Sequence, residues 1–362
     1  MSPTAGSAVI DPATGLPVAA DGVTYRLSHD LAADLPALWA AQDAARTADG
    51  ELERNSLAGM TAHYLHLERF DPARDLLVAE SAGQLVGYAR VDWTDSNDGE
   101  RWYDSVGIVH PAWRRRGIGR RLLAWTERRR AEIAAGHQAS GAFDDRPRAF
   151  TTFIFDGDRG GRVLLEGAGY EAFRRFATMR RPDLAGIAET ALPEGLEIRP
   201  IGRDRAAMRR VFDADAEAFR DHFGWSEATD EGFAEFVENP ATDPDLWLVA
   251  FEGDEIAGGI LNGIHVDPDG IRSGWLDSIF TRRPWRRRGL ARALIGRSLV
   301  LLRDRGLSAA SLGVDLTNPH DALGLYESCG FRVRSSATAY RKPEPITGWT
   351  ADSRTSPMEP GG

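Results

Sequence analysis

Cysteine is almost missing: Cys329 is the sole one among 362 residues. A disulfide framework, a Cys-based zinc site and an iron–sulfur cluster are thereby excluded. Long apolar runs are missing too. None approaches the ~18 residues that a membrane-spanning helix needs, and the first basic residue is Arg26. Neither a membrane span nor a secretory leader is expected, which makes the cytoplasm the expected compartment. The eight histidines show no H-x-x-x-H or similar spacing, so no metal site is expected. Positive charge is in the minority, with 44 Lys and Arg against 54 Asp and Glu, a net −10. That balance speaks against nucleic acid as a partner, despite two arginine triplets. The remainder is ordinary globular composition, 42% hydrophobic and 27% charged, in a chain long enough for two domains.

An internal repeat organises the chain. The run from Trp102 to Leu123 reappears, one residue shorter, from Trp275 to Ile295, and the arginine triplets begin at Arg114 and Arg286, 172 residues apart. The surroundings repeat as well. Val23–Ser28 and Leu196–Ile201 read as opening strands, each followed by an amphipathic helix over about 31–46 and 203–219. Hairpins follow, Leu76–Glu80 with Gln84–Val91 and Leu246–Glu252 with Glu255–Ile264, each turning at a glycine. After the arginine-rich block come a helix, a strand (Phe150–Phe155; Ala309–Leu316), a short helix and a last strand. The expected layout is a tail over 1–22, one α/β unit over 23–182, a linker over 183–193, a second unit over 194–343 and a tail over 344–362.

The chemistry sits in the repeated block. A β-rich run ends at Val109 and again at Thr281. A turn follows, with Arg114, Gly117 and Gly119 in the first copy and Arg286, Gly289 and Ala291 in the second. Each turn opens into a helix, where Ile118, Leu122 and Trp125, or Leu290, Leu294 and Leu301, mark the apolar face. Backbone N–H groups at such a turn are unpaired, with the positive end of the helix dipole behind them. Small residues let a pyrophosphate come close. The candidate anion-binding residues are Arg114, Arg115, Arg116, Gly117, Ile118, Gly119 and Arg120, and in the second copy Arg286, Arg287, Arg288, Gly289, Leu290, Ala291 and Arg292.

At these residues the chain resembles the GNAT (Gcn5-related N-acetyltransferase) superfamily, twice over. Val109, Pro111, Arg114, Gly117 and Gly119 fit that superfamily's V-x-P-x-x-R-x-x-G-x-G/A loop in full. In the second copy Thr281 replaces the Val and no Pro follows two residues on. The run Asn318, Ala322, Tyr326, Gly330 and Phe331 is similar to the superfamily's closing N-x-x-A-x-x-L-Y-x-x-x-G-F segment. The resemblance implies an α/β (α+β) fold in two tandem domains, each a mixed, mostly antiparallel sheet flanked by helices with a V-shaped gap between two central strands. It implies acetyl-CoA as acyl donor, held by the main chain of Phe280 and Thr281, by Asn318, and in the first copy by Ile108 and Val109. Among tandem members the layout is similar to the mycothiol synthases. Those carry a Glu six residues before the loop's Val position, where this chain has Trp275.

Tyr326 has a chemical logic of its own. A thiol of pKa ~8.5 leaves a thioester more readily when a positioned acid protonates it, and a tyrosine of pKa ~10 can do so. Tyr326 shares a helix face with Ala322, Leu325 and Cys329, so packing alone could also explain it. The first copy separates the two readings, because Leu165 stands opposite Tyr326 and Gly157 opposite Asn318. Leu satisfies packing; only the second copy keeps a hydroxyl.

Other candidates are Asp277, as a proton relay for the substrate ammonium or a strand-end ion-pair partner, and His222 with Trp225, as an acceptor-pocket wall or an aromatic helix cap. Cys329 reads as a small core residue. The function expected is acetyl-CoA-dependent N-acetylation of a small-molecule amine by the second domain, with Tyr326 as general acid and a non-catalytic first domain. The alternatives are mycothiol synthase-type acetylation of a cysteinyl pseudodisaccharide, acetylation of a protein or peptide amine, and acyl-CoA binding without transfer.

Overall fold

The computed structural model describes residues 10–51, 56–97, 99–139, 146–220, 222, 225, 227–266, 272–317 and 322–343. Asn318 and the expected tail residues 1–9 and 344–362 lie outside the described residues. The first half runs β1 (Thr24–Leu27), α1 (Leu31–Ala48), α2 (Leu57–Leu65), the single turn α3 (Pro72–Asp75), β2 (Leu76–Ser81), β3 (Gln84–Asp95), β4 (Arg101–Val109), α4 (Ile118–Ala139), β5 (Arg148–Phe155), α5 (Arg159–Gly167) and β6 (Glu171–Arg181). The second runs β7 (Glu197–Arg199), α6 (Arg205–Phe219), α7 (Asp230–Glu238), β8 (Leu248–Glu252), β9 (Glu255–Val266), β10 (Arg272–Thr281), α8 (Leu290–Asp304), β11 (Ala310–Asp315), α9 (Ala322–Ser328) and β12 (Arg332–Pro343). The repeat is chemical as well as topological. Asp30 and Asp204 cap α1 and α6 in the same way, each accepting a hydrogen bond from the main-chain N–H three residues on.

The twelve strands form one sheet, in the order β1-β2-β3-β4-β5-β12-β6-β11-β10-β9-β8-β7. All neighbours are antiparallel except β4 with β5 and β10 with β11. This is the mixed, mostly antiparallel α/β architecture, with one feature the repeat did not foreshadow: the halves exchange their last strands. β12 lies between β5 and β6, and β6 pairs with β11. Ala177 and Met179 of β6 therefore pack in the second half's core beside Leu294, Leu302 and Leu312. Reciprocally, Tyr340 of β12 packs with Tyr103 and Phe150 of the first half. The exchange leaves no open strand edge at the centre of the molecule.

Each parallel pair separates along its length. β4 and β5 pair from Arg101 and Arg148 as far as Ser105 and Thr152, then part from each other and run on to Val109 and Phe155, each still paired with its other neighbour. β10 and β11 pair only at Gly274 with Ala310 and Trp275 with Ser311. A bulge between Leu276 and Ser278 then bends β10 away, leaving a V-shaped gap.

Two connecting segments are packed. Residues 10–22, expected as tail, turn back on themselves, and Ile10 and Leu16 lie against the first-half core. In the linker, Leu184 is buried in the second-half core, while Arg303 and Arg297 of α8 donate to the carbonyls of Ile187 and Thr190 at 2.8 and 2.9 Å.

Candidate active site

The two loops are built alike. Arg115 and Arg287 adopt left-handed backbone at φ 67° and 61°, and Gly117 and Gly289 follow at 77° and 85°. A left-handed non-glycine residue is costly, about 1–2 kcal/mol, so the loop shape is imposed by its surroundings. The first helical donors are Arg121, to Gly117, and Ala293, to Gly289. Among the described residues, the N–H groups of 115–120 and 287–292 thus have no partner, and six converge at the start of each helix.

The side chains divide the labour. Ile118 and Leu290 are buried and anchor the helices, so their main chain alone faces the loop. Arg115, Arg116, Arg120, Arg287, Arg288 and Arg292 are exposed, free to meet an anion from outside. Arg116 lies over the Trp113 ring and Arg288 reaches Glu252 at 3.5 Å. Gly119 and Ala291 are half-buried against the sheet side of the loop. Arg114 and Arg286 behave otherwise. Arg286 donates to the carbonyls of Thr281 (3.1 Å) and Ala218 (2.8 Å). Arg114 donates to the Val109 carbonyl (3.4 Å) and to both carboxylate oxygens of Asp49 (2.6 and 2.7 Å). Both arginines brace the loop against the preceding strand and the end of a helix.

Beside the second gap, Phe280 is buried against α6 and α7, and Thr281 carries a buried hydroxyl with no hydrogen-bond partner among the described residues. An orphaned hydroxyl next to open N–H groups suits a polar ligand running along β10. Ile108 and Val109, their first-half counterparts, are half-buried. Tyr326 sits on α9, 9% exposed, within the second-half core. Burial, with Cys329 adding to it, pushes its hydroxyl up to about 12. Among the described residues that hydroxyl has no hydrogen-bond partner. Leu165, its counterpart, is buried, and a Cβ at Gly157 would collide with the Asp49 carbonyl.

The bulge in β10 turns Asp277 and Ser278 towards the face covered by α6. Asp277 is exposed and lies 3.2 Å from His265 Nε2. Ser278 donates to Asp215 of α6, a carboxyl that burial pushes up to about 6. Asp215 was not among the expected site residues. Its signal was present: Met208, Val211, Asp215 and Ala218 recur at helical spacing, which puts a carboxylate on an apolar stripe.

His222 lines a cleft of about 390 Å³ beside β11 and packs on Phe219 at 4.5 Å. Trp225 lies in the same loop but is not part of that lining. Asn97 of the first half pins this loop, donating to the carbonyls of Arg220 (2.8 Å) and His222 (2.9 Å).

Comparison with known proteins agrees with this geometry. The sequence model of the Acetyltransferase (GNAT) family matches residues 208–331, and that of an Acetyltransferase (GNAT) domain matches 72–150. A mycothiol acetyltransferase of Thermomonospora curvata is 32% identical over 82% of this chain and 92% of its own length. One from Streptomyces bingchenggensis is 30% identical over 89% and 94%. Among solved structures, a GCN5-related N-acetyltransferase from Sphaerobacter thermophilus superposes with a TM-score of 0.63 at 25% identity, covering 91% of this chain and 96% of that one. A tandem GNAT protein from the clavulanic acid biosynthesis pathway shares the fold, with a TM-score of 0.62 at 17% identity over 90% and 99%. No helix among the described residues is long and apolar enough to cross a membrane. The chain belongs to the GNAT acetyltransferase family, carries two of its domains in tandem, and is an acyltransferase.

Proposed function

We propose that this acyltransferase moves an acetyl group from acetyl-CoA to the amine of a small molecule, and that the second half performs the transfer. One contrast carries the reading. The second half joins an open N–H cradle, an orphaned Thr281 hydroxyl and Tyr326, whereas Asp49 bridges Arg114 and Gly157 at the mouth of the first-half gap.

When bound, acetyl-CoA supplies the acetyl group as an activated thioester. The N–H groups of 287–292 with Arg287, Arg288 and Arg292 would hold its pyrophosphate, and the main chain of Phe280 and Thr281 would hold its acyl arm. Tyr326 holds a proton for the leaving sulfur. Asp215, raised towards neutrality yet largely ionised at pH 7, takes a proton from the incoming ammonium; Asp277 relays a proton through water on the same face. The bookkeeping closes. A C–N bond forms and a C–S bond breaks; the nitrogen loses two protons on the way from ammonium to amide, the first to the carboxylate and on to solvent, the second restoring Tyr326 after the tyrosine has given its own proton to the departing sulfur. The first-half loop, Arg114 to Arg120 with Ile108 and Val109, retains an anion cradle without an acid.

The relatives called mycothiol acetyltransferase favour a second reading, an acceptor of the mycothiol kind. Against it stands Trp275, buried at the position where the mycothiol synthases carry Glu. The test is an acetyl-CoA turnover screen over amine classes, followed by released thiol. Amine-dependent release supports transfer; binding of acetyl-CoA with no release from any amine overturns it.

A further inference from the structure

The strand exchange has a chemical consequence on the sheet face that α6 covers. Phe153 and Phe155 of β5 and Phe176 of β6 point to that face, opposite Ile154 and Ala177, which face the α4 and α8 side. Their rings form a cluster, Phe153 with Phe155 at 5.4 Å and nearly perpendicular, and Phe153 with Phe176 at 5.6 Å. Phe153 is 46% exposed, an unusual position for a large apolar ring. These first-half rings line the 390 Å³ cleft together with Phe219 and His222 of the second half. Gly313, Val314 and Asp315 of β11, the inner arm of the second gap, also line it. β6 pairs with β11 there, placing Phe176 opposite Asp315 and Thr178 opposite Gly313. A Cβ at Gly313 would meet open space, so the cleft reaches bare main chain beside the gap.

Two polar side chains of this cleft, Asp315 and Ser336, are engaged within the protein. Asp315 accepts from Arg174 (2.7 Å) and Thr317. The Ser336 hydroxyl donates to Asp156, which also accepts from Thr338 and Arg175. Among the described residues, the rest of the lining is chiefly ring surface, with the Thr178 hydroxyl and His222 beside it. A polyhydroxylated acceptor needs a converging set of uncommitted donors and acceptors, whereas an apolar one needs ring faces to replace water.

We infer that the acceptor is a primary amine carrying an aryl group, or an apolar group of similar size, seated on Phe153, Phe155 and Phe176 of the first half. This rests on the proposed N-acetyltransferase reading and adds to it the acceptor class and a role for the first half, which builds one wall of the second half's acceptor site. Of the three rings, Phe176 on β6 stands nearest to β10, with β11 alone between the two strands.

The experiment compares 2-phenylethylamine and tryptamine with glucosamine and a short peptide, by thiol release from acetyl-CoA. The wild type, Phe153→Ala and Val163→Ala are used, the last removing a still more exposed apolar side chain on α5. The aryl amines should have the highest kcat/KM. Phe153→Ala should lower that value ~10-fold or more, mainly through KM, with Val163→Ala unchanged. Turnover centred on glucosamine or the peptide, or Phe153→Ala matching the wild type on aryl amines, overturns the inference and leaves N-acetylation standing. Absence of thiol release with every amine overturns the underlying reading and this inference together.

Discussion

Arg114 grips both carboxylate oxygens of Asp49, at 2.6 and 2.7 Å, and so ties the end of α1 to the cradle of the first half. Asp49 also lies against Gly157, beyond the end of β5, so it bridges the two sides of that half's gap. The matching Arg286 holds the Ala218 and Thr281 carbonyls. Among the described residues, the bridge across a gap is seen in the first half.

Matched loop substitutions test this asymmetry. Gly117→Glu and Gly289→Glu each place a carboxylate at a left-handed position, at a similar strain of about 1–2 kcal/mol. The Gly289 variant should lose more than 90% of turnover, about tenfold being a modest loss for a displaced pyrophosphate, while the Gly117 variant stays within about twofold of wild type. Circular dichroism confirms that both are folded. The reverse order would place catalysis in the first half.

Tyr326→Phe removes one hydroxyl and leaves the ring in its core. Turnover should fall ~10²–10⁴-fold, the usual range for a general acid, with acetyl-CoA affinity little changed. Stopped-flow turnover with calorimetric binding separates the two quantities. A Phe variant of near-wild-type rate across pH makes the tyrosine a packing residue.

Asp215 gives two linked pH effects. Its carboxyl is raised to about 6 by burial, above the ordinary value of 3.8. The folded protein therefore binds this proton more tightly than the unfolded chain, and stability falls as pH rises from about 4 to 6. Asp215→Asn should flatten that part of the stability curve and also remove the acidic limb near pH 6 from kcat/KM. Denaturant melts and rate profiles over pH 4.5–8 measure both. An unchanged limb in the Asn variant assigns the base elsewhere, with Asp277 next in position.

A histidine clamp joins the halves on the same face. His66, which caps the C-terminus of α2, lies between Glu231 (2.5 Å) and Glu238 (2.9 Å) of α7, while His63 meets Glu235 at 2.9 Å and Arg90. The two glutamates raise the His66 pKa above its ordinary 6.5. The contribution is therefore complete below pH 6.5 and is lost as pH rises through the raised value. Melting temperature should fall more steeply between pH 6.5 and 9 for wild type than for His66→Gln. Equal slopes would mean that the clamp adds nothing, as exposed pairs often do.

The fold was largely legible in the residues, because its signals are local. Asp30 and Asp204 announce helix starts, alternation announces β2 with β3 and β8 with β9, and the glycine spacing announces both cradles. The least legible parts were those in which one residue type serves two ends. Arg114 and Arg286 carry the same motif position but brace the loop, since a guanidinium beside a strand end finds carbonyls and carboxylates of the chain itself. Asp215 was hidden for a related reason: its meaning depends on Ser278, 63 residues away.

Sequence alone determined that this chain is one unit written twice, and that only the second copy keeps a hydroxyl where the first has Leu165. Spacing and identity carry such information without any fold. Tertiary structure alone decided that β6 and β12 change places, that Asp49 bridges the first-half gap, and that three phenylalanines of the first half line one cleft with Phe219 of the second. The physical reason is that strand partners are chosen by which edges and faces can be buried together. In a duplicated chain each last strand finds two nearly equivalent sites, and the packing of the assembled core selects between them.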